Sequence, residues 1–141
     1  MKRMITFLIT IFTFLSCEAP ISGLMTIERV EPIEPVLILF HAICQVETGR
    51  RVLINHEEGA YGIAQITQAK LDDFNRAKGK RYTLNDCLRV SISKEVFFWH
   101  IGQYKDIDKG IRSWNGSGKK TFDYLRKVKT VISKNSNNRG I

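Results

Sequence analysis

One stretch of the chain carries apolar side chains on every side of a helix. Residues 36–46 read VLILFHAICQV. A surface helix shows one apolar stripe, whereas a helix that is apolar all round is typical of a buried position. Gly49 follows as a C-terminal stop. The pattern predicts a buried central helix, with His41 as a core histidine rather than a ligand.

The later apolar residues recur three and four positions apart, which predicts four more helices. Thr67 is the expected cap of the first, which ends at Gly79. The predicted starts of the other three are Ser93, Asp108 and Thr121.

The segment between the central helix and these four predicts a loop or a small hairpin. Residues 50–61 contain polar and turn-forming residues, and are too few for another core element. The five predicted helices and the small hairpin together give an expected fold class of α+β, predominantly α.

His100 falls in one of these helices and is expected on its surface.

The N-terminus has the composition of an export signal. Two basic residues are followed by an uncharged run over residues 4–16, which is too short to span a membrane as an ordinary helix. Phe14–Cys17 resembles a bacterial lipobox, although its Phe14 is unusual there. We expect residues 1–16 to be a signal peptide, with Cys17 as the lipidated first residue. A plain signal peptide with cleavage nearby is the alternative.

The rest of the chain divides into three parts. Residues 17–35 contain prolines and lack periodicity, so we expect a tether. Residues 36–132 form the predicted domain, and residues 133–141 a flexible polar tail. The protein is expected to be an exported monomer at the cell surface or in the periplasm, anchored to the membrane by its lipid.

Composition limits the class of protein without choosing a function. The 141 residues are enough for one domain, and 43% hydrophobic residues exclude wholesale disorder. A net charge of +8 favours an anionic partner, such as a nucleic acid, a membrane surface or a cell-wall polymer. The export signal argues against nucleic acid.

Two cysteines remain in the predicted domain, and two interpretations of them stay open. Cys44 and Cys87 either form a disulfide in an oxidising compartment or lie apart as buried thiols. The cysteine and histidine spacings match no metal site. We expect no metal and no cofactor.

Glu47 is the first candidate for chemistry, because it ends the predicted buried helix. Burial raises the pKa of a carboxyl group, and a carboxyl that stays protonated near neutral pH is a general acid. An exposed glutamate at a helix end is the alternative.

Two glycine-bearing segments follow that suit a sugar ligand. The first contains Gly62-Ile63-Ala64-Gln65, in which a backbone turn lies beside an amide that hydrogen-bonds sugar substituents. The second is Ser113–Gly118, in which Trp114 and Asn115 place an aromatic ring beside an amide.

These segments and the helix end together resemble a known family. Glu47-Thr48-Gly49, Gly62-Ile63-Ala64-Gln65 and Ser113-Trp114-Asn115, in that order, are similar to three motifs of lytic transglycosylases and goose-type lysozymes. The resemblance covers residues 36–132. Thr48 stands where serine is commoner, Ala64 replaces methionine, and Trp114 replaces a tyrosine whose phenol helps to position the acid or substrate.

The resemblance implies a lysozyme-like fold with a small lobe beside a cleft, and an activity on peptidoglycan. Glu47 would protonate the glycosidic bond between N-acetylmuramic acid and N-acetylglucosamine. Cleft-lining and sugar-binding roles would fall to Thr48, Gly62, Ile63, Ala64, Gln65, Trp114 and Asn115. Glu47, Gln65 and Asn115 are expected to face one shared cleft.

The type of cleavage depends on a second carboxylate. A lytic transglycosylase uses one glutamate as acid and then as base, and forms a 1,6-anhydro product. An inverting hydrolase needs a second acid that activates water. Glu57 and Glu58 precede the second motif, and Glu58 is the candidate. We expect the lytic reaction, with a hydrolytic muramidase and a non-catalytic peptidoglycan-binding lipoprotein as alternatives.

Overall fold

A computed structural model of the protein describes residues 35–137, which form a mostly helical body with a small antiparallel sheet. This confirms the class α+β, predominantly α. The predicted leader, Cys17 and the tether up to residue 34 lie outside the described residues. The elements are α1 (Pro35–Thr48), β1 (Ile54–Asn55), β2 (Ala60–Tyr61), β3 (Ile66–Thr67), α2 (Gln68–Lys78), a 3-10 turn (Leu84–Leu88), α3 (Val90–Gly102), α4 (Ile107–Asn115) and α5 (Lys120–Asn137).

Helix α1 is the predicted central helix, and it packs against α3 and α5. Five of its side chains are buried in the core: Leu39, Phe40, Ala42, Ile43 and Cys44. The predicted core position of His41 is wrong, because His41 is exposed. Gln45, four residues later on the same side of the helix, is exposed too. One narrow stripe of α1 therefore faces solvent.

The segment after α1 forms the predicted hairpin and adds a third strand that the sequence did not predict. Strands β1, β2 and β3 are antiparallel neighbours in that order. Ile54 pairs with Tyr61, which in turn pairs with Ile66. Two-residue strands carry too little alternation for a pattern to reveal.

Gly62 allows this sheet to lie directly against the 3-10 turn. Its φ is +84°, and an added Cβ would lie 2.1 Å from the carbonyl oxygen of Cys87. Real Cβ atoms do not approach backbone oxygen so closely, and a side chain is also strained at this φ. Only glycine fits this contact between β2 and the turn.

Helix α2 has its predicted ends, at Thr67 and at Gly79 in the left-handed conformation, although the Thr67 side chain makes no capping bond. The next two predicted starts are wrong. Helix α3 begins at Val90, and the hydroxyl of buried Ser93 donates to the Cys87 carbonyl at 2.7 Å. Helix α4 is capped by Asp106, whose carboxylate accepts from two backbone amides of its first turn.

Helix α5 begins beside the predicted Thr121 and continues beyond the predicted boundary at residue 133 to Asn137. Its final turns contain serines that remain compatible with a helix. The hydroxyls of Ser133 and Ser136 donate to carbonyls four residues earlier, both at 3.0 Å. The predicted tail therefore starts inside this helix.

Both cysteines of the domain are buried free thiols, which confirms that interpretation over a disulfide. Burial raises the pKa of Cys44 to about 12 and that of Cys87 to about 11. Both thiols are therefore protonated, apolar members of the core at neutral pH. Within residues 35–137, no helix is long and apolar enough to cross a membrane.

Candidate active site

Glu47 lies in the last turn of α1 and is held by a residue of α5. The hydroxyl of Tyr124 donates to Glu47 Oε1 at 2.6 Å. Burial raises the pKa of the Glu47 carboxyl above its ordinary value, and the nearby charge of Glu58 adds to this. The Tyr124 bond and the cation of Lys70 oppose the rise without cancelling it.

Lys70 brings a half-buried ammonium group into the same region from α2. Its Nζ lies 5.1 Å from the ring centroid of Trp114, a cation–π distance. Burial lowers the pKa of Lys70, whereas the charges of Glu47 and Glu58 raise it. The cation of Lys70 thus interacts with the two carboxyl groups of Glu47 and Glu58.

Glu58 contributes from the turn between β1 and β2, where its side chain is exposed. Its backbone N–H donates to Asn55 Oδ1 at 3.3 Å, a bond that closes the turn. Glu58 is close enough to affect the pKa of both Glu47 and Lys70. Glu57 is also exposed in this turn.

Hydrogen bonds join the three sequence motifs through the carbonyls of one loop. The Thr48 hydroxyl lies 3.0 Å from the carbonyl oxygen of Ile63 and 3.1 Å from that of Cys44. The indole N–H of Trp114 donates to the carbonyl of Ala64 at 3.2 Å. Residues predicted to share a site are therefore neighbours, although they are 50 positions apart in the second case.

Burial corrects the role predicted for Trp114. The residue is 1% exposed, so its ring is not a surface on which a sugar stacks. Its indole instead packs edge-on against Phe97 and His100, with centroids 5.0 and 5.1 Å away. Thr48 is also buried, and its hydroxyl serves the internal bonds described above. Both residues hold the loop in place rather than contacting a ligand.

The Gly62–Gln65 loop is constrained by its own amide side chain. Gln65 has a φ of +54°, and its Nε2 donates to the carbonyl of Gly62 at 2.8 Å and to that of Leu53 at 3.3 Å. Both bonds use the amide nitrogen of Gln65 and stabilise the loop, so the predicted contact of the Gln65 amide with a sugar stays a prediction. Gly62 and Ala64 are buried, and Ile63 is half-buried.

Asn115 is exposed at the end of α4 and lines a cavity that Tyr124 also lines. Both residues line a cavity of about 380 Å³ with Lys120, Asp123 and Lys127. Because Tyr124 also bonds to Glu47, it belongs both to this cavity and to the surroundings of the acid. The shared cleft predicted for Glu47, Gln65 and Asn115 stays a prediction.

A larger cavity, of about 600 Å³, lies between α2, α3 and α4, and Lys70 forms part of its wall. Trp99 and Tyr104 are partly exposed in it. His100, which was predicted at a surface, is half-buried here, with Nε2 2.8 Å from Ser113 Oγ. Burial and the cation of Lys70 lower the pKa of His100 to about 4, so the ring is neutral at pH 7.

Two residues of this site were missed in the sequence. Tyr124 had a signal, because Thr121, Tyr124 and Val128 are spaced as one buried stripe and a buried phenol needs a hydrogen-bond partner. The sequence also offers a competing apolar stripe of Phe122, Leu125 and Val128, yet Phe122 is 58% exposed. Lys70 had no signal, because a lysine in the first turns of a polar helix has the pattern of a surface residue.

Among residues 35–137, no group of three histidine, cysteine or acidic side chains is arranged to hold a metal ion. Comparison of the chain with protein-family models, with curated proteins and with solved structures found no match.

Proposed function

We propose that the protein is a peptidoglycan lytic transglycosylase with a lysozyme-like fold, and that Glu47 is its catalytic acid and base. The observation that carries the proposal is the state of Glu47. It ends a buried central helix, its carboxyl has a raised pKa, and a phenol holds it at 2.6 Å. A positioned carboxyl of this kind is what protonation of a glycosidic oxygen requires.

In the proposed reaction, Glu47 starts protonated and gives its proton to the oxygen between N-acetylmuramic acid and N-acetylglucosamine. The bond from this oxygen to the muramyl C1 then breaks, with help from the N-acetyl group of the sugar. The Glu47 carboxylate next takes the proton of the 6-hydroxyl, whose oxygen closes the 1,6-anhydro ring. Tyr124 orients the carboxyl, and Lys70 stabilises its ionised form between the two steps.

We place the glycan in the 600 Å³ cavity whose wall includes Lys70. Trp99 and Tyr104 are the aromatic residues with exposed surface there, and they take the stacking role that buried Trp114 does not fill. Asn115 would contact the glycan strand in the smaller cavity, which Tyr124 also lines. In this proposal, Thr48 and the Gly62–Gln65 loop have a structural role: their hydrogen bond holds the end of α1, and with it Glu47, in position.

A second candidate is a hydrolytic muramidase in which Glu58 activates water. The observation in its favour is that Glu58 is close enough to Glu47 to raise the pKa of that carboxyl. Its exposure gives it access to water, as a general base requires. The lytic reaction remains our proposal, because it needs only the glutamate that is held in place.

The proposal includes export to the compartment that contains peptidoglycan, through the leader in residues 1–16 and lipid attachment at Cys17. The protein would act as a monomer beside the membrane. Removal of Lys2 and Arg3 with the leader would lower the net charge from +8 to +6, which would still assist contact with the anionic wall.

The test is mass spectrometry of the products released from peptidoglycan by the full chain. We expect anhydro-muropeptides from the unchanged protein and none from Glu47→Gln. Reducing-end products that disappear in Glu58→Gln would establish the hydrolase, with Glu57→Gln as the control from the same turn. Binding to the wall without any product would refute catalysis and leave a binding lipoprotein.

A further inference from the structure

Lys70 is a cation without a close anionic partner in the part of the chain that the structure describes. Within residues 35–137, no carboxylate oxygen lies within 4.0 Å of its Nζ. Its ammonium lies instead over the Trp114 ring, while the residue is half-buried. A lysine normally keeps its ammonium in water, because partial burial without a direct partner costs free energy.

The cavity beside Lys70 has the chemistry to accept a ring that carries an anionic group. Lys70 lies on its wall, while Arg76 and Asp73 bond to each other at 3.2 Å on its exposed rim. Because that pair is neutral as a unit, the ammonium of Lys70 supplies the net positive charge. Trp99 and Tyr104 supply apolar faces for the ring.

The neighbouring carboxylates give this cation a particular importance. Glu47 and Glu58 are both close enough to act on the charge of Lys70. Without the ammonium, the ionised carboxyls of Glu47 and Glu58 would make the surroundings of position 70 acidic, and an anionic ligand there would be repelled. Lys70 is therefore the group that makes the site tolerant of a carboxylate.

We propose that Lys70 is a specificity-determining residue that binds a carboxylate of the glycan, so that the site selects acidic glycans over neutral ones of the same length. This inference rests on the proposed function and deepens it. In peptidoglycan the carboxylate has two sources, the lactyl group of a peptide-free muramyl sugar and the stem peptide. Both present the same chemistry to an ammonium group.

The test is calorimetric binding by the full chain carrying Glu47→Gln, which prevents turnover. The three probes have equal length: a neutral N-acetylglucosamine oligomer, a peptide-free glycan with lactyl carboxylates, and the same glycan with stem peptides. We expect an acidic glycan to bind about tenfold more tightly than the neutral one, which corresponds to one charge-assisted contact. Preference for the peptide-free glycan identifies the lactyl source, and preference for the stem-bearing glycan alone identifies the peptide.

Adding Lys70→Gln should remove this preference, whereas Lys70→Arg should retain it. Lys94→Gln is the matched control, because Lys94 Nζ lies 5.3 Å over the Phe98 ring, outside this cavity. Equal binding of all three probes, or a preference that survives Lys70→Gln, would overturn the role of Lys70 while leaving the cleavage reaction intact. Failure to bind any of the three probes would overturn both the role of Lys70 and the proposed function.

Discussion

The Tyr124 hydroxyl donates to Glu47 Oε1 at 2.6 Å across a sequence separation of 77 residues. This bond links the end of the buried helix α1 to the last helix of the domain, and α1 and α5 pack along each other. The geometry of the proposed acid therefore depends on the packing of α5. Truncation or displacement of that helix would expose the carboxyl and release its partner.

Replacing Tyr124 with phenylalanine should change both the rate and the pH profile of cleavage. The phenol stabilises the ionised carboxyl, so its loss raises the pKa of Glu47 further and moves the basic limb of the profile to higher pH. We expect the maximal rate to fall about tenfold, because the acid loses its orientation. The measurement is the turnover rate against pH.

Tyr82→Phe is the control for this prediction, because it removes another tyrosine–glutamate bond, from Tyr82 to Glu95 at 3.2 Å on an exposed surface. It should leave the profile in place. An unchanged profile in Tyr124→Phe would show that the bond does not tune the acid.

Glu47→Gln should stabilise the fold at neutral pH while it abolishes cleavage. The native pKa of Glu47 is raised, so the native state binds more protons than the unfolded chain, and stability falls as pH rises through the native pKa. Glutamine does not ionise, so it removes the free-energy cost of a buried charged carboxyl, and its side-chain oxygen still accepts from the Tyr124 hydroxyl. Thermal unfolding at several pH values should show a gain that is present near pH 7 and disappears below the unfolded pKa. A loss of stability at pH 7 would contradict it.

Alanine substitutions at two glycines should distinguish the loss of stability due to steric overlap from that due to backbone strain. Gly62→Ala should cost about 3 kcal/mol or more, because its Cβ would overlap the Cys87 carbonyl and its φ is positive. Gly59→Ala shares a positive φ, but no atom lies within 4 Å of its added Cβ, so we expect about 1 kcal/mol. Denaturant unfolding measures both. Equal losses would mean that the contact with the 3-10 turn is not tight.

The elements with strong periodicity or clear stops could be predicted from the sequence, and those that depend on tertiary contacts could not. Helices α1 and α2 followed from an apolar run and from glycine stops. The start of α3 did not, because Ser93 bonds to the distant Cys87 carbonyl instead of capping a helix. Strand β3 has two residues, too few to establish a period.

The candidate site could be predicted in part for the same reason. The place of Glu47 at the end of a buried helix follows from the run before it. The partners of Glu47 come from α2 and α5, whose register relative to α1 is fixed only by packing. Trp114 was assigned to a sugar because an aromatic beside glycines resembles a binding loop, yet its indole bonds inward to Ala64. The spacing of Ile111 and Trp114, three residues apart, indicated that this side of α4 meets the core, so the burial of Trp114 had a local signal.

Changing His100 should alter how stability depends on pH in the acid range. Its native pKa is lowered to about 4, whereas an unfolded histidine titrates near its ordinary value of 6.5. Between these values the unfolded chain binds the extra proton, so native stability is fully present above about pH 6.5 and declines as pH falls toward 4. His100→Gln removes that proton uptake and keeps a donor for Ser113, so its unfolding temperature should fall less steeply over this window. His56→Gln, at an exposed position in the β1–β2 turn, is the control. Parallel curves for the unchanged protein and His100→Gln would show that the ring is not protected from protonation in the native state.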